Sequence, residues 1–109
     1  MTETGFAVWN QGNFDTEVMR QPGLALVDFW SEGCVPCKQL TRVLVQIADE
    51  IPAGVRIGTV KVNDNPGLAE RFGIQATPTL LFIKGGALVD TRSGVDRRQV
   101  LKKLVETHA

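Results

Sequence analysis

The sequence predicts an α/β fold in which a central mixed sheet is covered by helices. Three observations carry this expectation. Apolar runs of strand length alternate with stretches whose apolar residues recur at helical spacing. One run, Leu24-Ala25-Leu26-Val27-Asp28-Phe29-Trp30, is almost continuously apolar, as in a strand buried on both faces. Near the end, two strand-like runs meet through Gly85-Gly86, the signal of a tight antiparallel hairpin, and a last helical pattern follows.

Taken in order, Phe6-Ala7-Val8-Trp9 reads as a short first strand. Asn13 reads as the N-cap of a first helix, with Asp15 and Glu17 where a helix N-terminus favours negative charge. That helix should stop before Gln21-Pro22-Gly23. After the buried run, Leu40, Val43, Leu44, Ile47, Ala48 and Ile51 follow helical spacing, which predicts one long helix from residue 34 to about residue 50. Residues 55–62 form the next strand. A short helix starts at Pro66 and ends at Gly73, the residue that suits a helix C-terminus. Residues 79–83 and 87–89 are the hairpin strands. Asp96-Arg97-Arg98-Gln99 reads as a capping box opening a helix whose inner face is Val100, Leu101, Leu104 and Val105.

A chain of 109 residues, 43% apolar and 22% charged, has the size and balance of one compact domain over residues 1–109. Twelve basic residues offset twelve acidic ones, so no net field draws the chain to nucleic acid or a membrane. The local cluster Arg97, Arg98, Lys102 and Lys103 reads as a solvated helix face. There is no repeat or low-complexity tract. The start MTETGFAVWNQG lacks a basic stretch followed by a long apolar run, so no signal peptide is expected. No apolar stretch approaches the roughly 18 residues of a membrane span. A cytoplasmic location follows as the expectation.

The two cysteines of the chain lie in Cys34-Val35-Pro36-Cys37, directly after the buried run and at the head of the long helix. Unpaired backbone N–H groups and the helix dipole there stabilise a thiolate, which lowers the pKa expected for Cys34. Cys37 is its neighbour on the same helix face, at about the 5–6 Å Cα separation a disulfide needs. Pro36 suits a first turn, where its missing N–H costs little. One nucleophile and one resolving thiol can attack a foreign disulfide, form a mixed disulfide and release it by closing on each other. A purely structural bridge is a weaker reading, because so short a loop removes little chain entropy. Zinc would want more ligands than two cysteines and His108 supply, so no metal is expected. A cysteine hydrolase would want a better-placed histidine base.

Two further features bear on that chemistry. Asp28 interrupts the apolar run, and an unpaired buried carboxylate is expensive. It either reaches solvent at a strand end or sits beneath the cysteines with a raised pKa, taking the proton of Cys37, with Lys61 of the neighbouring strand as a partner. Thr77-Pro78-Thr79 is either an ordinary trans turn at a strand start or a cis bond exposing a backbone edge opposite Cys34.

The segments Val27-Asp28-Phe29-Trp30, Cys34-Val35-Pro36-Cys37-Lys38, Phe72-Gly73-Ile74 and Thr77-Pro78-Thr79-Leu80 together resemble the thioredoxin family, in order and over nearly the whole chain. The resemblance implies the thioredoxin fold, a five-stranded mixed sheet flanked by four helices. It implies Cys34 as nucleophile, Cys37 as resolving thiol, Asp28 as buried base with Lys61 beside it, and Pro78 as a cis proline. Gly94 matches the family glycine beside the substrate groove, and Trp30, Gly33, Val35, Pro36 and Thr77 match positions around it. The implied function is a protein disulfide reductase with no bound cofactor, a monomer fed by a thioredoxin reductase and acting on disulfide-containing proteins. An oxidase or isomerase on the same fold, and a redox-silent binding module, are the rivals. Four departures from the family pattern stand out. Gly33 replaces the tryptophan before the first cysteine, and Val35 replaces the usual glycine. Arg42 stands where many members carry a helix-kinking proline, and the loop over residues 63–66 is about two residues short.

Overall fold

The computed structural model describes residues 4–109. At its centre is β2, Leu24–Trp30, whose residues are buried along almost its whole length. β2 runs parallel to β3, Arg56–Lys61, and antiparallel to β4, Thr79–Lys84. The two-residue β1, Ala7–Val8, adds in parallel outside β3, and β5, Ala87–Ser93, adds antiparallel outside β4. The order β1-β3-β2-β4-β5 is the five-stranded mixed sheet expected from the sequence.

Four helical segments cover the two faces. They are a π-helical turn at Asp15–Met19, α1 at Val35–Ile47, α2 at Pro66–Arg71 and α3 at Arg98–His108. Alternation along the central strands sorts the core. Ala25, Val27 and Phe29 of β2 join Trp9, Phe14, Val18 and Leu68 on the face covered by the π-turn and α2. Leu24 and Leu26 join Leu40, Leu44 and Ile47 of α1 and Leu101 and Val105 of α3 on the other. A strand with helices on both faces must be apolar on both, hence the unbroken run that marked it.

Several local expectations are corrected. The first helical segment has Phe14 at its N-cap position instead of Asn13, and no side-chain cap. The Asn10 side-chain oxygen accepts the N–H groups of Gly12 and Asn13, while the Asn13 side chain turns back to Asn10 N and Val8 O. The long helix starts one residue later, with Cys34 as its N-cap, and its last turn tightens to a 3₁₀ turn at Ala48–Glu50. No capping box forms at α3, because Arg92 takes both carboxylate oxygens of Asp96. Val100 is exposed, leaving Leu101 and Val105 as the buried residues of that helix.

β5 runs on to Ser93, four residues beyond its apolar start. An edge strand needs no apolar continuation, because its outer side faces water. At the hairpin, Gly85 and Gly86 both take positive φ, +56° and +82°, as a tight two-residue turn between twisted strands requires.

Candidate active site

The site assembles at one end of the central strands. β2 leaves the sheet at Trp30 and continues through Ser31, Glu32 and Gly33 to the cysteines. β3 ends beside it at Lys61, which pairs in register with Trp30. Because β4 is antiparallel to β2, its beginning, preceded by Thr77-Pro78, arrives at the same end. β5 finishes there too, and Gly94 N–H donates to the Pro78 carbonyl at 3.0 Å. One end of the sheet therefore gathers residues that lie far apart in the chain.

Gly33, at φ +73°, turns the chain so that Cys34 enters α1 in extended conformation as its N-cap. Cys34 Sγ accepts the Cys37 N–H at 3.1 Å, satisfying one of the donors a helix start leaves unpaired. Val35 and Pro36 fill the next two positions, and Pro36 has no N–H to leave unmet. Cys34 and Cys37 form a disulfide with Cα atoms 5.2 Å apart. The two sulfurs differ in access, since Cys37 is buried and Cys34 half-buried. Val35, 62% exposed, stands out beside them as an apolar side chain facing solvent.

Opposite the disulfide, the Thr77–Pro78 peptide is cis. The Thr77 carbonyl oxygen and hydroxyl each lie 3.7 Å from Cys34 Sγ, and that hydroxyl is hydrogen-bonded to the Ser31 hydroxyl at 2.6 Å. Ser31, which no sequence signal singled out, thereby links the cysteine loop to the proline turn.

Asp28 is fully buried on the sheet face that α1 covers, between Thr59 of β3 and Leu80 of β4. Among the described residues its carboxylate oxygens have no hydrogen-bond partner, and burial pushes its pKa up from 3.8 to about 7. The expected pairing with Lys61 does not form. Lys61 lies on the same sheet face two residues beyond Thr59, where its ammonium meets Glu32 at 3.3 Å and Asp64 at 3.9 Å and sits over the Trp30 ring at 5.5 Å. At the strand end the stem can cover the ring while the charge stays wet. Bringing it inward to Asp28 would strip its hydration.

Among the described residues, no cluster of three His, Cys, Asp or Glu side chains could hold a metal ion. No helix among them is long and apolar enough to cross a membrane. What the arrangement supports chemically is dithiol–disulfide exchange, with the Cys34–Cys37 pair as the redox-active disulfide.

The comparisons with known proteins agree with that chemistry. The thioredoxin family model matches residues 5–107. A thioredoxin of Chlorobaculum thiosulfatiphilum is 38% identical over 96 residues, covering 88% of this chain and 89% of the relative. A thioredoxin of Chlamydia caviae is 40% identical over 87 residues, covering 80% and 84%. The protein named Thioredoxin 2 in Chlorobaculum tepidum is 35% identical over 96 residues, covering 88% of each chain. The matched span takes in all five strands and reaches the last turn of α3, and the chain belongs to the thioredoxin family.

Proposed function

We propose that the chain is a cytoplasmic protein disulfide reductase that works as a monomer without a bound cofactor, re-reduced by a separate thioredoxin reductase. The observation that carries this reading is the unequal access of the two sulfurs. A partner can reach Cys34, and only a group already inside the protein can reach Cys37.

In the dithiol form, the Cys37 N–H and the helix dipole stabilise a thiolate on Cys34. The thiolate attacks one sulfur of the target disulfide, the target S–S bond breaks, and the leaving thiolate takes a proton from water. Cys37 then attacks Cys34 Sγ, which expels the second target thiol and leaves the Cys34–Cys37 disulfide. Cys37 must lose its proton for this step. Asp28, buried on the α1 face with its pKa raised to about 7, is suited to accept that proton near neutral pH. The cis Thr77–Pro78 edge, Gly94 and the exposed Val35 surround the sulfur and form the groove for an extended target segment.

The test is reduction of a protein disulfide by the reduced chain. Cys34→Ser should abolish it, whereas Cys37→Ser should retain attack and accumulate mixed disulfides. Full activity in Cys34→Ser would end the nucleophile assignment.

A further inference from the structure

A cavity of about 630 Å³ lies directly against the disulfide, and the reduction step just described makes no use of it. It is lined by Trp30, Cys34 and Cys37 and by the stretch of α1 that carries Lys38 and Arg42. These two residues stand four apart, on one helix face. Gly33 also lines it, and an added Cβ there would meet no atom within 4 Å. Its volume lies in the range of pockets that hold small molecules, roughly 300–1,000 Å³.

The charges along this cavity are unbalanced. Glu32 also lines it, but its carboxylate is drawn to Lys61. Neither Lys38 nor Arg42 has an ion-pair partner among the described residues. Two cations with no ion-pair partner among the described residues therefore line a cavity that also holds the sulfur pair, while its one carboxylate, Glu32, is engaged by Lys61.

We infer that this cavity is a subsite for small carboxylate-bearing disulfides, with Lys38 and Arg42 as its specificity-determining residues. The inference rests on the disulfide-reductase reading and adds a substrate class to it. A dianionic disulfide R–S–S–R places one sulfur at Cys34 and its carboxylate against the two cations. The Cys34 thiolate forms the mixed disulfide and releases one RS⁻, which is protonated to RSH. Cys37 closes on Cys34 and releases the second. The net step consumes the dithiol and R–S–S–R and yields the Cys34–Cys37 disulfide and two RSH, with two electrons and two protons passed to the small molecule.

The experiment measures single-turnover rate constants of the fully reduced chain with dithiodipropionate, a dianion, and with bis(2-hydroxyethyl) disulfide, a neutral molecule of similar size. The readout is the ratio of the two, because any change in the reactivity of Cys34 itself cancels. In the Lys38→Gln/Arg42→Gln variant this ratio should fall about tenfold, the loss expected for two partly solvated ion pairs. Lys38→Arg with Arg42→Lys should keep it, and cystamine, a dication, should gain in rate relative to the neutral probe in the Gln variant. A ratio that stays within about twofold of wild type overturns the inference. So does charge discrimination that appears with an acidic protein disulfide but not with dithiodipropionate. Failure to reduce the neutral probe at all would instead count against the reductase reading, so the two failures are distinguishable.

Discussion

Replacing Asp28 by asparagine should make the protein more stable, and by an amount that depends on pH. The carboxyl titrates near 3.8 when unfolded and at about 7 when buried in the fold. Below both values the group is protonated in either state and ionisation costs nothing. Between them the folded state holds a proton that the unfolded state has lost, so stability falls as pH rises. Above the folded pKa the whole cost is present. A shift of about three units, at 1.36 kcal/mol each, corresponds to about 4 kcal/mol. Water penetration and relaxation around the charge make that an upper value. The amide introduced by Asp28→Asn would carry no such titration, and any fixed cost of burying it is the same at every pH. The measurement is denaturant unfolding of the oxidised wild type and Asp28→Asn at intervals from pH 4 to pH 8. The stability difference between the two should grow by several kcal/mol in favour of the variant across that window. A difference that stays flat over the window would mean that Asp28 is solvated after all, and the proposal that it accepts the proton of Cys37 would fall with it.

Other perturbations have equally direct outcomes. Gly58→Ala should destabilise by about 2 kcal/mol or more in the same assay, since its Cβ would lie 2.4 Å from the buried Trp9 ring. Gly33→Trp should cost about 1–2 kcal/mol through the backbone alone, because φ is +73° and nothing lies within 4 Å to clash; an unchanged melting temperature would contradict this. Asp90→Asn removes a carboxylate that its hydrogen bond to His108, at 3.0 Å, holds below the usual range. That bond contributes stability above the unfolded carboxylate pKa and loses it as pH falls through the depressed value. The variant should therefore be weaker by up to about 1 kcal/mol at pH 6 and equal to wild type at the acid end.

Some of the fold was legible because single segments carry their own signal. The continuous apolar run of β2 and the Gly-Gly hairpin have no competing interpretation. The misreadings share one cause, since several polar side chains could serve a local role and tertiary neighbours decided which did. Asp96 had the position of a helix cap, yet Arg92, four residues earlier on the strand, offers a bidentate partner. Asn13 had the residue type of a cap, yet its side chain turns back to Asn10 N and Val8 O. At the site, Cys34 and Cys37 were legible because their spacing is their chemistry. Lys61 was misplaced because a sequence shows that two residues are neighbours across a sheet without showing which of them reaches water. Ser31 and the cavity lined by Lys38 and Arg42 depend on what surrounds them in space, and no short motif records that.

The position of β2 has a consequence for how the molecule breathes. Its amides are held by β3 on one side and β4 on the other along nearly its full length. β1 offers two residues to a single neighbour, and β5 pairs on one side only. Amide hydrogen exchange should then be fastest in β1 and along β5, through openings that leave the middle of the sheet closed, and slowest in β2, where exchange waits for global unfolding. The strand that resists opening longest is the one from which the cysteine loop hangs and in which Asp28 is set. The edges of the sheet can come and go without disturbing the distance between the two sulfurs.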